Sequence, residues 1–122
     1  WDRLRGRFGD FVVTRIVSAK ELDETPRPAE TWEEDDQWTR RVVLELVPHP
    51  GLPHPEAVAR DYAMADGVLA LRLRAAVAGY VLRHFSVDVT PDHRLPAESH
   101  QLWLRNGAAL GDVDSLLLAG EG

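Results

Sequence analysis

"VLALRLRAAVAGYVLRHFSVDV", residues 68–89, supports two incompatible readings, and the fold turns on which one holds. As a helix it gathers Arg72, Gly79 and Arg83 into one narrow polar ridge on an otherwise apolar cylinder, and its alanines favour that state. As a strand it alternates Leu69, Leu71 and Leu73 with Ala70, Arg72 and Arg74, and Gly79 becomes a bulge. Periodicity does not arbitrate between them. The alanine content tips the expectation to a helix as far as His84, followed by a strand over Phe85 to Val89.

The flanking sequence is easier to read. From Trp38 onwards Val42, Leu44 and Leu46 fall on one face and Arg41 and Glu45 on the other, which is the alternation of a half-buried strand. "PHPGLPHP" then places four prolines and a glycine within residues 48–55, a composition that no ladder or helix interior accepts. A stiff connection over 48–54 is expected, with Pro55 at the first position of a helix. In "PEAVARDYAMAD" Val58, Ala59, Tyr62 and Ala65 share one side at helical spacing, and Gly67 is placed to end that helix.

Further out, "GDFVVTRIVSA", Gly9 to Ala19, is dense in β-branched and aromatic residues without a helix cap ahead of it and reads as a strand. Residues 20–37 carry acids and turn formers with little to bury and read as an acidic loop. Towards the C-terminus "TPDHRLPAESH" is a polar loop and "QLWLR" a short strand. Asn106 and Gly107 give a two-residue hairpin signal, and "SLLLA" is the returning strand. No repeat or second-domain boundary appears. The expected fold is α+β: a single domain over residues 1–122, with an antiparallel sheet of about five strands packed against one or two helices. The alternative is a mostly-β barrel with one helix.

A chain of 122 residues is long enough for one continuous core, and its hydrophobic fraction of 44% with 28% charged residues is that of an ordinary globular protein. No cysteine is present, which excludes disulfides and thiolate chemistry and permits a reducing, cytoplasmic setting. Trp1 stands where an initiator Met would, so the sequence reads as an excerpt of a longer bacterial chain. The net charge of −6 argues against a phosphate-binding face, and no apolar run reaches the roughly 20 residues of a membrane span. Neither nucleic acid nor membrane is an expected partner.

Candidate functional residues fall in a few groups. "TWEEDDQW" sets Glu33, Glu34, Asp35 and Asp36 between Trp32 and Trp38, an acidic loop with aromatic walls suited to a protein contact. It lacks the alternating ligands and central glycine of a calcium loop. His49 and His54 have the spacing of a helical zinc pair, but the surrounding prolines forbid the helix. No metal and no cofactor is expected. Arg72 and Arg83 on an apolar segment must pair with carboxylates or reach solvent along their stems.

In "RHFSVDVTPDH", His84, Asp88, Asp92 and His93 could form a His–carboxylate pair for general acid–base work. Ser99 beside His100 does not resemble a nucleophile, because no G-x-S-x-G elbow exists. Two functions compete. The first is a non-catalytic protein-interaction or assembly module, self-associating or meeting a basic protein partner through the acidic, Trp-flanked loop. The second is a small cofactor-independent isomerase, cyclase or hydrolase with a His–carboxylate pair in an apolar pocket. A module predicts tryptophans on a surface patch, whereas an enzyme predicts the pair opening into a cavity.

Overall fold

The computed structural model of the chain describes residues 1–120. Three strands form one antiparallel sheet in the order β2-β1-β3: β1 over Arg41–Pro48, β2 over Leu69–Arg74 and β3 over Leu102–Leu104. Four helices accompany it: α1 over Asp36–Thr39, α2 over Pro55–Asp61, α3 over Ala75–His84 and α4 over Leu116–Ala119. Among the described residues the fold is thus α+β, but with three strands rather than five and four helices rather than one or two, and the sheet is open, so the barrel alternative also fails.

The contested stretch resolves into both readings in series. Leu69 to Arg74 pair with β1 in the register Leu46↔Leu69, Leu44↔Leu71 and Val42↔Leu73, which stacks the leucines on one face. Helix α3 starts at Ala75, where the alternation stops and small residues begin. The expectation of continuous helix from residue 68 fails because leucine serves either period and the partner strand decides between them. Residues 85–89 form no ladder, only one parallel bridge, Asp88↔Trp103.

The core lies between the inner sheet face and α3. Leu44, Leu46, Leu102 and Leu104 from the sheet meet Ala75, Ala78 and Leu82 of the helix, closed by Val58, Val87, Leu110 and Val113. Helix α4 docks on α3 by close backbone approach at Gly79: a Cβ there would lie 1.6 Å from the Ser115 carbonyl oxygen. The Ser115 hydroxyl accepts from the Gly79 amide at 2.9 Å and donates to the Ala75 carbonyl at 2.6 Å. Gly79 is therefore a contact residue and not a bulge.

Helix α2 begins at Pro55 as expected but stops earlier, at Asp61. Ala63 takes a left-handed conformation (φ 49) and the Met64 amide bonds back to the Ala59 carbonyl. Gly67 does not end the helix. Asp66 and Gly67, both at positive φ, form the tight turn in which Val68 donates to Ala65 on entry to β2. The hairpin expected at Asn106 and Gly107 does not form. Gly107–Leu110 is a 3-10 turn, and "SLLLA" yields α4 rather than a strand.

Asn106 instead prolongs the sheet with its side chain. Its amide group donates to the Val43 carbonyl at 2.8 Å, and its carbonyl accepts from the Glu45 amide at 3.0 Å. Gly9 to Ala19 is likewise not a strand. It carries one 3-10 turn, Val13–Arg15, and residues 9–29 are all exposed.

Candidate functional site

The most heavily bonded polar group in the interior is Asp88, fully buried where the chain runs beside Trp103 along the outer edge of β3. The Thr90 amide and hydroxyl donate to its Oδ1 at 2.9 and 2.7 Å. His49 Nε2, at 2.9 Å, and the Leu95 amide, at 3.1 Å, donate to Oδ2. His49, 2% exposed, accepts from the Gly51 amide at Nδ1, so its proton sits on Nε2 and points at the carboxylate. Burial pushes the Asp88 carboxyl up, but the Thr90 hydroxyl, the Thr90 amide, His49 and the Leu95 amide outweigh it and hold the group below the ordinary aspartate value.

This pair is a clamp. It ties the Pro-rich connection after β1 to the loop before β3, 39 residues away, and both ring nitrogens of His49 are already spoken for. Of the four residues singled out as a possible acid–base set, only Asp88 takes part. His84 is exposed at the end of α3 against Phe85, and Asp92 is exposed in the loop. His93, exposed and at φ 45, lies edge-on to Trp103 with ring centroids 5.4 Å apart. Sequence reasoning misses His49 as the partner, since spacing sets it only against His54. The available signal is its position one residue past a strand, but nothing local points to Asp88.

The nearest concave feature is an apolar cleft of about 440 Å³ lined by Val89, Trp103, Leu104, Leu110, Val113 and Leu116, among others. Neither His49 nor Asp88 lines it. Among the described residues no group of three or more His, Asp or Glu side chains could hold a metal ion.

The acidic, Trp-flanked loop is split by local structure. Trp32, Glu33 and Glu34 form an exposed 3-10 turn. Asp35 caps α1 by accepting from the Gln37 amide at 3.1 Å, and Asp36 lies in its first turn. Trp38 carries the Arg74 guanidinium 4.5 Å over its ring, while Arg74 donates to the Trp38 carbonyl. Arg72 is exposed on the outer face of β2, and Arg83 is exposed in the last turn of α3. The loop residues and these two arginines are not brought together by any ion pair among the described residues.

Residues 41–110, from the first residue of β1 to the end of the turn after β3, match the family model described as the BrxR transcriptional regulator, C-terminal dimerization domain. The chain belongs to that family. It is also 35% identical over 108 residues to a DNA-binding transcriptional repressor CapW of Stenotrophomonas maltophilia, covering 82% of this chain and 33% of the relative. CapW of Escherichia coli (strain KTE188) is 34% identical, over 87% of this chain and 35% of the relative. CapW of Pseudomonas aeruginosa is 30% identical, over 89% and 36%.

The chain thus spans about a third of the length of these curated relatives. Membership in the BrxR dimerization-domain family favours the assembly reading, with self-association as its form. It also corrects the expectation that nucleic acid is not a partner. The relatives are named DNA-binding repressors, and a net charge of −6 over one third of such a length says nothing of the other two. Among the described residues no helix is long and apolar enough to cross a membrane.

Proposed function

We propose that this chain is the C-terminal dimerization module of a cytoplasmic DNA-binding transcriptional repressor, and that it acts without catalysis by holding two copies together. The observation that carries the reading is the coincidence of the matched residues 41–110 with one structural unit, the β1 to β3 sheet with α2 and α3. A dimer presents two DNA-reading elements with two-fold symmetry, so half-sites a fixed distance apart are bound together. DNA contact then belongs to the remainder of a longer protein, and the module sets the spacing and the avidity.

The Trp32 to Trp38 stretch lies outside the matched residues. In this reading Trp38 braces the start of α3 through Arg74, Asp35 caps α1, and Glu33, Glu34 and Asp36 are exposed at the approach to the module. The deciding experiment is light scattering on the chain over a range of concentrations. A mass twice that of the chain is expected. A monomer at all concentrations would refute the proposal.

A further inference from the structure

The two edges of the sheet are treated differently. Outside β3, the segment Val87 to Val89 closes the edge: the Asp88 amide donates to the Leu102 carbonyl and the Leu104 amide to the Asp88 carbonyl, both at 2.9 Å. Outside β2 no strand follows among the described residues. The bond from the Ala75 amide to the Arg40 carbonyl fixes the phase of the ladder. Leu69, Leu71 and Leu73 exchange bonds with β1, so the amides and carbonyls of Ala70 and Arg72 point outward, and both residues are exposed.

This open edge is lightly protected: Arg72 is the one exposed charge in its middle, on the outer face. It is six residues long, without proline, and Arg74, the charge nearest its end, is taken up by Trp38. Its three leucines on the core face are only half-buried. Residues 41–110 contain this edge and exclude α4, the acidic loop and the exposed N-terminal stretch.

We propose that two copies of this chain pair through β2, antiparallel about a two-fold axis at Leu71, to give one continuous six-stranded sheet. This rests on the dimerization reading above and assigns its contact. In that register Ala70 and the partner's Arg72 exchange about four backbone hydrogen bonds counted over both copies. Leu71 faces the partner's Leu71, and Leu69 faces the partner's Leu73, so the leucine row becomes continuous and fully covered. A shift by one bonded pair in one direction sets Arg72 directly against its own copy, which like-charge repulsion disfavours. The opposite shift leaves Leu73 opposite Gly67 and loses a leucine contact. Ala70, between Glu45 of β1 and the partner's Arg72, is small enough for the guanidinium to lie across it.

The test uses two kinds of variant in the whole chain. In Arg72→Pro the lost amide is one that points away from β1, so the monomer keeps its ladder while the edge is blocked. A dissociation constant raised at least about 100-fold is expected, with the far-ultraviolet circular dichroism unchanged. Because the chain has no cysteine, Leu71→Cys gives a single thiol. Across a non-bonded antiparallel pair its Cα lies roughly 4.5 Å from its copy, so oxidation should give a cross-linked dimer. Leu73→Cys sits roughly 13 Å from its copy and should not cross-link.

A folded Arg72→Pro chain that remains dimeric overturns the edge while leaving dimerization standing, as does cross-linking through Leu73→Cys in place of Leu71→Cys. A wild-type chain that is monomeric removes the reading beneath it and the edge with it. Should Arg72→Pro fail to fold, the two cysteine variants decide alone.

Discussion

Residues 11–17, "FVVTRIV", and residues 41–47, "RVVLELV", are close to interchangeable in composition, yet the second forms the central strand and the first lies exposed. The difference is in what each can meet. Residues 41–47 lie between β2 and β3 and place Val42, Leu44 and Leu46 over α3, so both ladder edges and one face are used. Residues 11–17 bend at the 3-10 turn Val13–Arg15, leave Phe11, Val12, Val13, Ile16 and Val17 exposed and have no ladder partner among the described residues. The side-chain bond from Tyr80 to Asp10 ties that stretch to the fold. β-propensity describes fit to a pleated, half-buried surface, and without that surface it produces no strand.

Paired substitutions sharpen the contrast most strongly. Leu44→Asp buries an unpaired carboxylate at a position with no exposure and should cost more than about 4 kcal/mol, unfolding the chain. Val13→Asp, on a side chain that is 78% exposed, should stay within about 0.5 kcal/mol. Urea unfolding monitored by circular dichroism measures both. Comparable losses at the two positions would mean that residues 11–17 are packed after all.

The next effect is at the clamp. Asp88→Ala leaves His49, the Thr90 hydroxyl and two amides without their acceptor, for a loss of about 3 to 5 kcal/mol in the same experiment. Because the folded carboxyl is held below its unfolded value, its contribution is complete above the ordinary aspartate value of about 3.9. It is lost as the pH falls through the lower folded value. Asp88→Asn should therefore be less stable than wild type at neutral pH and flatter as the pH falls below about 4, as read from urea midpoints down the acid limb. Parallel acid limbs for the two proteins would show that Asp88 carries no such linkage.

A smaller loss, about 2 to 3 kcal/mol, is expected of Gly79→Ala, since the added methyl meets the Ser115 backbone rather than a flexible side chain. Helix α4 would separate from α3, seen as faster amide exchange over residues 115–119. An unchanged exchange pattern would place the α3 and α4 contact elsewhere.

How much of this is legible in the sequence follows from the same particulars. The central strand and the first turn of α2 are legible because alternation and Pro55 act locally. Residues 68–89 are not, because leucine and alanine satisfy both periods and the switch at Ala75 depends on the pairing of Arg74 with Arg41. Two turn dipeptides compete in the chain, Asp66 with Gly67 and Asn106 with Gly107. Only the first leads into a strand that β1 can pair with, while Asn106 is drawn to the edge of β1 by its side chain. The His49 and Asp88 clamp joins residues 39 apart, beyond the reach of any spacing rule.

The exposed stretch and the sheet unit also separate in what they contribute. Residues 41–110 carry the fold and, in the proposed dimer, the contact between copies, whereas residues 1–34 carry neither. Light scattering on the chain shortened to begin at Asp35, which preserves the cap of α1, tests this most directly. A dimer with the dissociation constant of the whole chain is predicted. A shortened chain that is folded but monomeric would contradict that division and place the dimer contact in the first 34 residues.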